Sequence, residues 1–302
     1  MGNEKYQVIQ DPIYGYRRLD PVPDEKEVTK FYENRYYDLI RKGGRASDVR
    51  RLMAGGEDAE REREWLHSSL YADILSVLEQ QSSLNSKRLL DVGCGTGELI
   101  SFMKLYGWEV IGLEPSSEAA AIAKSKGLEV YSLSTEEFLA RYSQYSSTFA
   151  AITLLHVLEH VPSPVKLLKL VRKLLVREGV VVIQVPNDFT ELQLIAQQHL
   201  QKEPWWIAIP DHINYFDFQS LHSFLQRLGF EVIYSQGDFP MELFLLMSDD
   251  YVGNSEIGSK CHQKRVRFEM AITGELRRHI YRALAEVGVG RNCLVFGRLK
   301  EQ

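Results

Sequence analysis

A chain of 302 residues with 44% hydrophobic and 25% charged side chains has the composition of a globular protein and can bury a substantial core. Its 36 Lys and Arg against 41 Asp and Glu give a formal charge of -5, the wrong balance for non-specific capture of nucleic acid, so no nucleic-acid partner is expected. Three scattered cysteines (Cys94, Cys261, Cys293) without a CxxC pair, a polar N-terminus and no bilayer-length apolar run exclude a disulfide scaffold and membrane insertion, and predict a cytoplasmic protein.

Residues 1–58 are rich in Pro, Gly and Tyr and read as an irregular extension or lid with one helix over 25–41. A helix is predicted over 57–80, where Leu66, Leu70, Ile74 and Val77 recur at helical spacing. From Arg88 the pattern becomes strand–helix alternation, with strands over 88–92, 109–114, 129–132, 149–155 and 180–185. Amphipathic helices fall between them, over 98–106, 117–126, 136–142 and 164–175. The last has Ser163 as its N-cap and Pro164 in its first turn. The alternation loosens after Pro186, through Trp205 and Trp206, then resumes with a helix over 219–228 capped by Asp217 and stopped by Gly229. A strand over 231–234, a charged helix around 263–284 and a final strand over 293–299 complete the chain. This order predicts an α/β fold. It is a doubly wound, Rossmann-like, mostly parallel seven-stranded sheet whose last strand is antiparallel. The domain covers residues 59–302, with insertions at about 187–217 and 238–290.

The most informative motif is DVGCGTG, residues 91–97, at the end of the first strand of this alternation and opening a helix. Gly93, Gly95 and Gly97 permit a tight turn and close approach of a ligand to the backbone, at the sheet edge where such folds bind ligands. A nicotinamide or flavin site is the rival reading. It would place Gly or Ala where Glu98 stands, so that a helix N-terminus meets a pyrophosphate. The charges of Asp91 and Glu98 suit a cationic, phosphate-free cofactor better. Glu114 ends the second strand, where a carboxylate can accept both ribose hydroxyls of a nucleoside; alternatively it caps the helix after Pro115.

With GWEVIGLEPS and FAAITLLHVLEHVPSP following at this spacing, the chain resembles the class I methyltransferases over residues 88–234. It is most similar to the subgroup with the ubiquinone-biosynthesis O-methyltransferases. The resemblance implies S-adenosylmethionine as cofactor, with S-adenosylhomocysteine as product. Asp91, Gly93, Cys94, Gly95 and Gly97 would frame its methionine part, Glu114 and Pro115 its ribose, Leu133 and Ser134 its adenine, and Leu155 and His156 its sulfonium. Two positions depart from the pattern: Ser134 and Ala150 stand where acidic residues are frequent.

For the acceptor, the resemblance and the sheet edge together select two segments. His156, Glu159 and His160 form an HxxEH that could ligate a metal or simply anchor the loop before Pro162; the second reading is adopted and no metal is expected. PDHINYF, residues 210–216, is similar to an element that supplies a base in some deoxysugar C-methyltransferases. This makes His212 the leading base candidate, with Asp211 as its polar partner, Tyr215 as a donor and His156 as a further contact. Tyr14, Tyr16, Tyr32, Tyr36 and Tyr37, with residues 205–209 and 241–251, are expected to cover a small-molecule acceptor. The N-terminal run also looks like that of sugar C-methyltransferases, without their cysteine-bound zinc module. O-methylation is the expected reaction. C- or N-methylation of a sugar or related metabolite is the alternative, and a non-catalytic cofactor-binding module the alternative of another class. Monomer and homodimer both remain open.

Overall fold

The computed structural model describes residues 5–24, 26, 28, 47–81 and 86–300. Apart from Lys26 and Val28, the helix expected over 25–41 lies outside them, as do Tyr32, Tyr36 and Tyr37.

Two short strands, β1 (Gln7–Gln10) and β2 (Arg17–Asp20), pair antiparallel. Helices α1 (Ser47–Ala54), α2 (Gly56–Ser68) and α3 (Leu70–Glu79) lead into the alternating region. The strands there are β3 (Arg88–Val92), β4 (Glu109–Leu113), β5 (Val130–Tyr131), β6 (Phe149–Leu155) and β7 (Leu175–Pro186). Helices α4 (Glu98–Leu105), α5 (Ser117–Ser125), α6 (Thr135–Arg141) and α7 (Pro164–Leu174) connect them. Then come α8 (Glu191–Leu200), β8 (Asn214–Tyr215), α9 (Phe218–Arg227), β9 (Phe230–Gln236), α10 (Glu242–Leu246), α11 (Ser255–Ala271), α12 (Gly274–Glu286) and β10 (Asn292–Leu299).

Seven strands form one sheet in the order β5-β4-β3-β6-β7-β10-β9, and β10 alone runs against its neighbours. The period-two alternation of its strands divides the core into two layers. Leu90, Ile111, Ile152, Val181 and Val295 pack on one face with Phe138, Leu168, Val171 and Phe224 of α6, α7 and α9. Leu89, Val110, Ala151, Val180 and Phe296 pack on the other with Ile74, Leu78, Ile100 and Met103 of α3 and α4. Parallel strands flanked by helices put every strand-to-helix turn on the carboxyl edge of the sheet, and the chemistry-bearing residues are on those turns.

Four expectations change. The helix over 57–80 breaks at Ser69, which leaves helical geometry (φ -114°, ψ -99°) while its hydroxyl donates to Trp65 O at 2.5 Å; a serine bonding its own backbone competes with the helix ladder. The helix around 263–284 is two helices, the second restarted by Thr273, whose hydroxyl accepts from Leu276 N. Residues 7–20 are not irregular: β1 pairs with β2 and β2 with β8, making a three-stranded sheet beside the main one. Within it Tyr16 is buried and stacks on Phe216 at 4.8 Å, and Tyr14 meets Phe224 edge-on at 5.4 Å, so these two tyrosines are core residues rather than cover.

The inserted helices α11 and α12 dock on α2 and α3 through buried polar contacts. Arg277 grips both oxygens of Asp73 (2.9 and 3.2 Å), while Glu269 accepts from Trp65 Nε1 (2.6 Å) and Arg265 (3.0 Å). No helix among the described residues is long and apolar enough to cross a membrane.

Candidate active site

The turn after β3 is wound tightly against β4: the amides of Gly93 and Cys94 both donate to Leu113 O, at 2.7 and 3.0 Å. Gly93 (φ +75°) and Gly97 (φ +80°) occupy backbone conformations that a side chain disfavours. A Cβ on Gly93 would stand 2.8 Å from Val157 Cγ2, and one on Gly97 2.5 Å from Leu128 Cδ1. Gly93→Ala is therefore expected to lower the melting temperature and weaken nucleoside binding together, which a thermal-shift series with S-adenosylhomocysteine reads directly; equal shifts with and without ligand for wild type and variant would remove the loop from the site. Cys94 is buried over Gly112, and burial pushes its thiol up, so it fills space rather than acting as a nucleophile.

Glu114 is 7% exposed, and backbone amides fix both of its oxygens. Gly95 N donates to Oε2 and Ser116 N to Oε1, each at 2.9 Å. The carboxylate thus bridges the glycine turn and the start of α5, and each oxygen keeps a further lone pair for a ligand hydroxyl. Burial raises its pKa, by more than the two amides lower it. The helix after Pro115 is capped by Ser116, not by Glu114: Ser116 Oγ accepts from Ala119 N. Asp91 is also buried and accepts from Thr153 Oγ1 at 2.6 Å; burial and the charge of Glu114 push it up to about 7.

Glu98 does not present its charge to a ligand, as the sequence led us to expect. It pairs with Arg63 (3.0 Å) and Lys126 (2.7 Å), which outweigh its burial and lower its pKa, and Lys126 also donates to Thr96 O at 2.8 Å. This network ties the glycine turn to α2 and to the end of α5. Ser134, after β5, is the N-cap of α6 in a capping box with Glu137, while Leu133 beside it is half-buried. The hydroxyl of Ser134 thus serves the helix, and Leu133 offers the apolar surface there.

One strand over, Leu155 ends β6, and His156 follows it in a left-handed conformation (φ +54°) with its amide donating to Gln184 O at 2.8 Å. A non-glycine residue held there costs about 1–3 kcal/mol, which is typical of functional positions. His156 is exposed and its Nδ1 lies 2.9 Å from Glu159 Oε1; against a carboxylate that nitrogen must carry the hydrogen. Glu159 is 1% exposed. Burial alone would raise its pKa, but His156, His160 and His212 outweigh it and keep the carboxylate ionised. Its backbone oxygen accepts from Ile213 N (2.6 Å) and Asn214 N (3.1 Å), which brings PDHINYF to the same edge. His160 Nδ1 donates to Asp211 O at 2.9 Å, and the His160 and His212 rings meet edge-on at 5.0 Å. Tyr215 is buried, with its ring 6.3 Å from His212 and 5.8 Å from Phe189. His156, Asp211, His212 and Tyr215 therefore converge. Among the described residues, no group of three or more His, Cys, Asp or Glu side chains is arranged to hold a metal ion.

As sequence, Glu159 reads as a metal ligand or an anchor for its loop, not as the partner of a base, and Asp188 does not stand out. Asp188 follows β7 at this edge, is 3% exposed, and its Oδ2 has no hydrogen-bond partner among the described residues. The spacing of HxxEH contained the signal for Glu159; none in the sequence marked Asp188.

A family described as a methyltransferase domain matches residues 60–235, more than half of the chain. The ubiquinone biosynthesis O-methyltransferase of Marinobacter nauticus is 34% identical over 118 residues, 37% of this chain and 50% of that protein. The enzyme of the same name from Aliivibrio fischeri is 33% identical over 144 residues, 46% of this chain and 61% of that one. The chain thus spans less than two thirds of these relatives. Among solved structures, a SAM-dependent methyltransferase from Archaeoglobus fulgidus superposes with a TM-score of 0.52 at 18% identity, covering 87% of this chain and 99% of that one. A plantazolicin methyltransferase in complex with SAH gives 0.50 at 14% identity, covering 91% and 98%. These two likenesses are of fold. The match over residues 60–235 shows that the chain belongs to the methyltransferase-domain family, whose members use S-adenosylmethionine.

Proposed function

We propose that this protein transfers the methyl group of S-adenosylmethionine to a hydroxyl oxygen of a small molecule. The observation that carries the reading is the pairing of two sites on one sheet edge: a buried carboxylate, Glu114, held by one amide of the glycine turn and one at the start of α5, and a carboxylate–histidine pair, Glu159–His156, after β6 on the other side of β3. The O-methyltransferase names of the relatives support oxygen as the methylated atom.

The residues present fit the cofactor. Gly93 leaves no room for a side chain in the tight turn, Glu114 keeps lone pairs for two ribose hydroxyls, and buried Asp91 would stand at the methionyl end. Gly95 and Pro115 would line the cofactor beside Glu114, with Cys94 and Gly97 shaping the turn from behind; Leu133 and Ser134 would flank the base, and Leu155 would lie towards the sulfur. When bound, the cofactor supplies a methyl group already activated on a positive sulfur, with a neutral leaving group. What remains for the chain is alignment and removal of one proton. His156, with its Nδ1–H given to Glu159, can take that proton at Nε2. His212, Asp211 and Tyr215 bind and orient the acceptor, and buried Trp206 helps exclude water.

Asp91 gives this reading a pH signature. In the free protein its carboxyl titrates at about 7 because it is buried near Glu114. A ligand ammonium beside it would favour the charged form and release the proton. Affinity for S-adenosylhomocysteine should therefore rise as pH climbs towards about 7 and flatten above it, with proton release detectable by calorimetry in buffers of different ionisation enthalpy. Asp91→Asn should bind more weakly and lose the dependence; a flat profile in the wild type would exclude the contact.

The direct test of function is incubation with radiolabelled methyl donor and a panel of hydroxylated small molecules, followed by mass identification of the product. Label on nitrogen or carbon would redirect the reading to the amine or sugar alternative. Tight S-adenosylhomocysteine binding without transfer to any acceptor would leave a binding module.

A further inference from the structure

The segment 187–190, directly after β7, is pinned at every residue. Asn187 N donates to Arg291 O at 2.9 Å, and its Nδ2 to Gly288 O and Gly290 O at 3.0 Å each. Asp188 N donates to Phe216 O at 2.8 Å. Phe189 is held at φ +60° with the rings of Trp206 and Tyr215 edge-on, each at 5.8 Å, and Thr190 caps α8. Within this rigid frame Asp188 Oδ2 is buried and without a hydrogen-bond partner among the described residues, and so is Glu159 Oε2 on the turn after the adjacent strand β6. His156 and Phe189, one in each of these two turns, both hold left-handed backbones. Buried polar atoms are rarely left unsatisfied, and strained backbone gathers at ligand sites, so two orphan oxygens beside two strained residues mark a place that a ligand completes.

We infer that Asp188 is a specificity-determining residue whose Oδ2 hydrogen-bonds a second polar atom of the acceptor, distinct from the oxygen that is methylated. This rests on the proposed methyl transfer and narrows its substrate class. Burial, followed by the negative charges of Glu159 and Glu242, holds the Asp188 carboxyl well above the usual carboxylate range; Arg291 opposes this and Asp217 adds to it. The shift favours the neutral form of Asp188, in which the carboxyl can donate a hydrogen bond, whereas that of Glu159 favours the charged form. Two carboxyls driven apart in this way divide the work: Glu159 orients the histidine, and Asp188 gives a hydrogen bond. The acceptor is a small molecule that carries, besides its hydroxyl, a carbonyl, ether or second hydroxyl oxygen able to receive that bond.

The test uses the full chain as wild type, Asp188→Asn and Asp188→Leu, with radiolabelled methyl donor and matched pairs of hydroxylated compounds differing only in the second oxygen. A site built to bond a polar atom rejects the analogue lacking it. Wild type and Asp188→Asn, which keeps a donor, should favour the two-oxygen member by about tenfold or more in kcat/KM. Asp188→Leu should lose that preference through acceptor KM, with S-adenosylhomocysteine affinity unchanged. Undiminished preference in a folded Asp188→Leu, or no preference in the wild type, overturns the inference while leaving methyl transfer intact; the wild-type arm decides even if the leucine variant does not fold. S-adenosylhomocysteine binding without transfer to any compound overturns the function and this inference together.

Discussion

Glu114→Ala should weaken S-adenosylhomocysteine binding by about 100-fold or more, while the protein remains folded. The side chain accepts two backbone amides, from Gly95 and Ser116. Those amides aim both oxygens across the sheet edge, so a ribose presenting two hydroxyls would gain two charge-assisted hydrogen bonds. At roughly 1.5–3 kcal/mol each, their loss corresponds to two to four decades in Kd. Releasing Gly95 N also loosens the turn that has to approach the ligand. Glu114→Gln is the informative companion, since its NH2 would confront one of the two amide donors and its one remaining oxygen would carry no charge. Calorimetric titration of wild type and both variants settles the point: affinities within about threefold of wild type would show that Glu114 merely braces the turn.

Much of this cofactor side was legible in the sequence because its signals are local. Gly93, Gly97 and Glu114 lie within one strand–turn–helix–strand unit, and the period-two alternation of Leu89 and Leu90 or Val110 and Ile111 assigns each to a face without knowledge of its partner. Ser116, Ser163 and Asp217 cap their helices through donors three residues on, which spacing alone can anticipate. What escaped depends on partners far away in the chain. The charge of Glu98 is taken by Arg63, 35 residues earlier, and by Lys126, 28 later. The strands β1 and β2 gain their place only by pairing with β8 about two hundred residues on, so their Pro- and Tyr-rich text reads as loop. Helix breaks at Ser69 and before Thr273 follow from where each half must dock, on Glu269 and Asp73 respectively. Asp188 is an acid after a strand, one of many; only burial without a partner distinguishes it.

His156→Ala should lower kcat for methyl transfer by about 100- to 10,000-fold, the usual contribution of a general base, with cofactor affinity changed far less. Three features single out His156 over His212, which the sequence had favoured: it follows the strand beside the glycine turn, its backbone is held in a costly conformation, and a buried ionised carboxylate fixes its tautomer. Glu159→Gln keeps the shape but removes the charge, and should cost about ten- to hundredfold in kcat, one charge-assisted hydrogen bond. Because the folded-state pKa of Glu159 lies below its ordinary 4.5, its contribution to stability is present above that value and is lost as pH falls through the lowered one. Near neutrality, therefore, any pH dependence that vanishes in His156→Ala belongs to the histidine and not to its carboxylate. His212→Ala should act mainly on acceptor KM, since its ring packs against His160 near Tyr215 rather than at the end of β6. The two single variants, measured with saturating cofactor, discriminate cleanly. Near-normal kcat in His156→Ala together with its collapse in His212→Ala would transfer the proton-accepting role to His212 and leave Glu159–His156 as a brace for the loop.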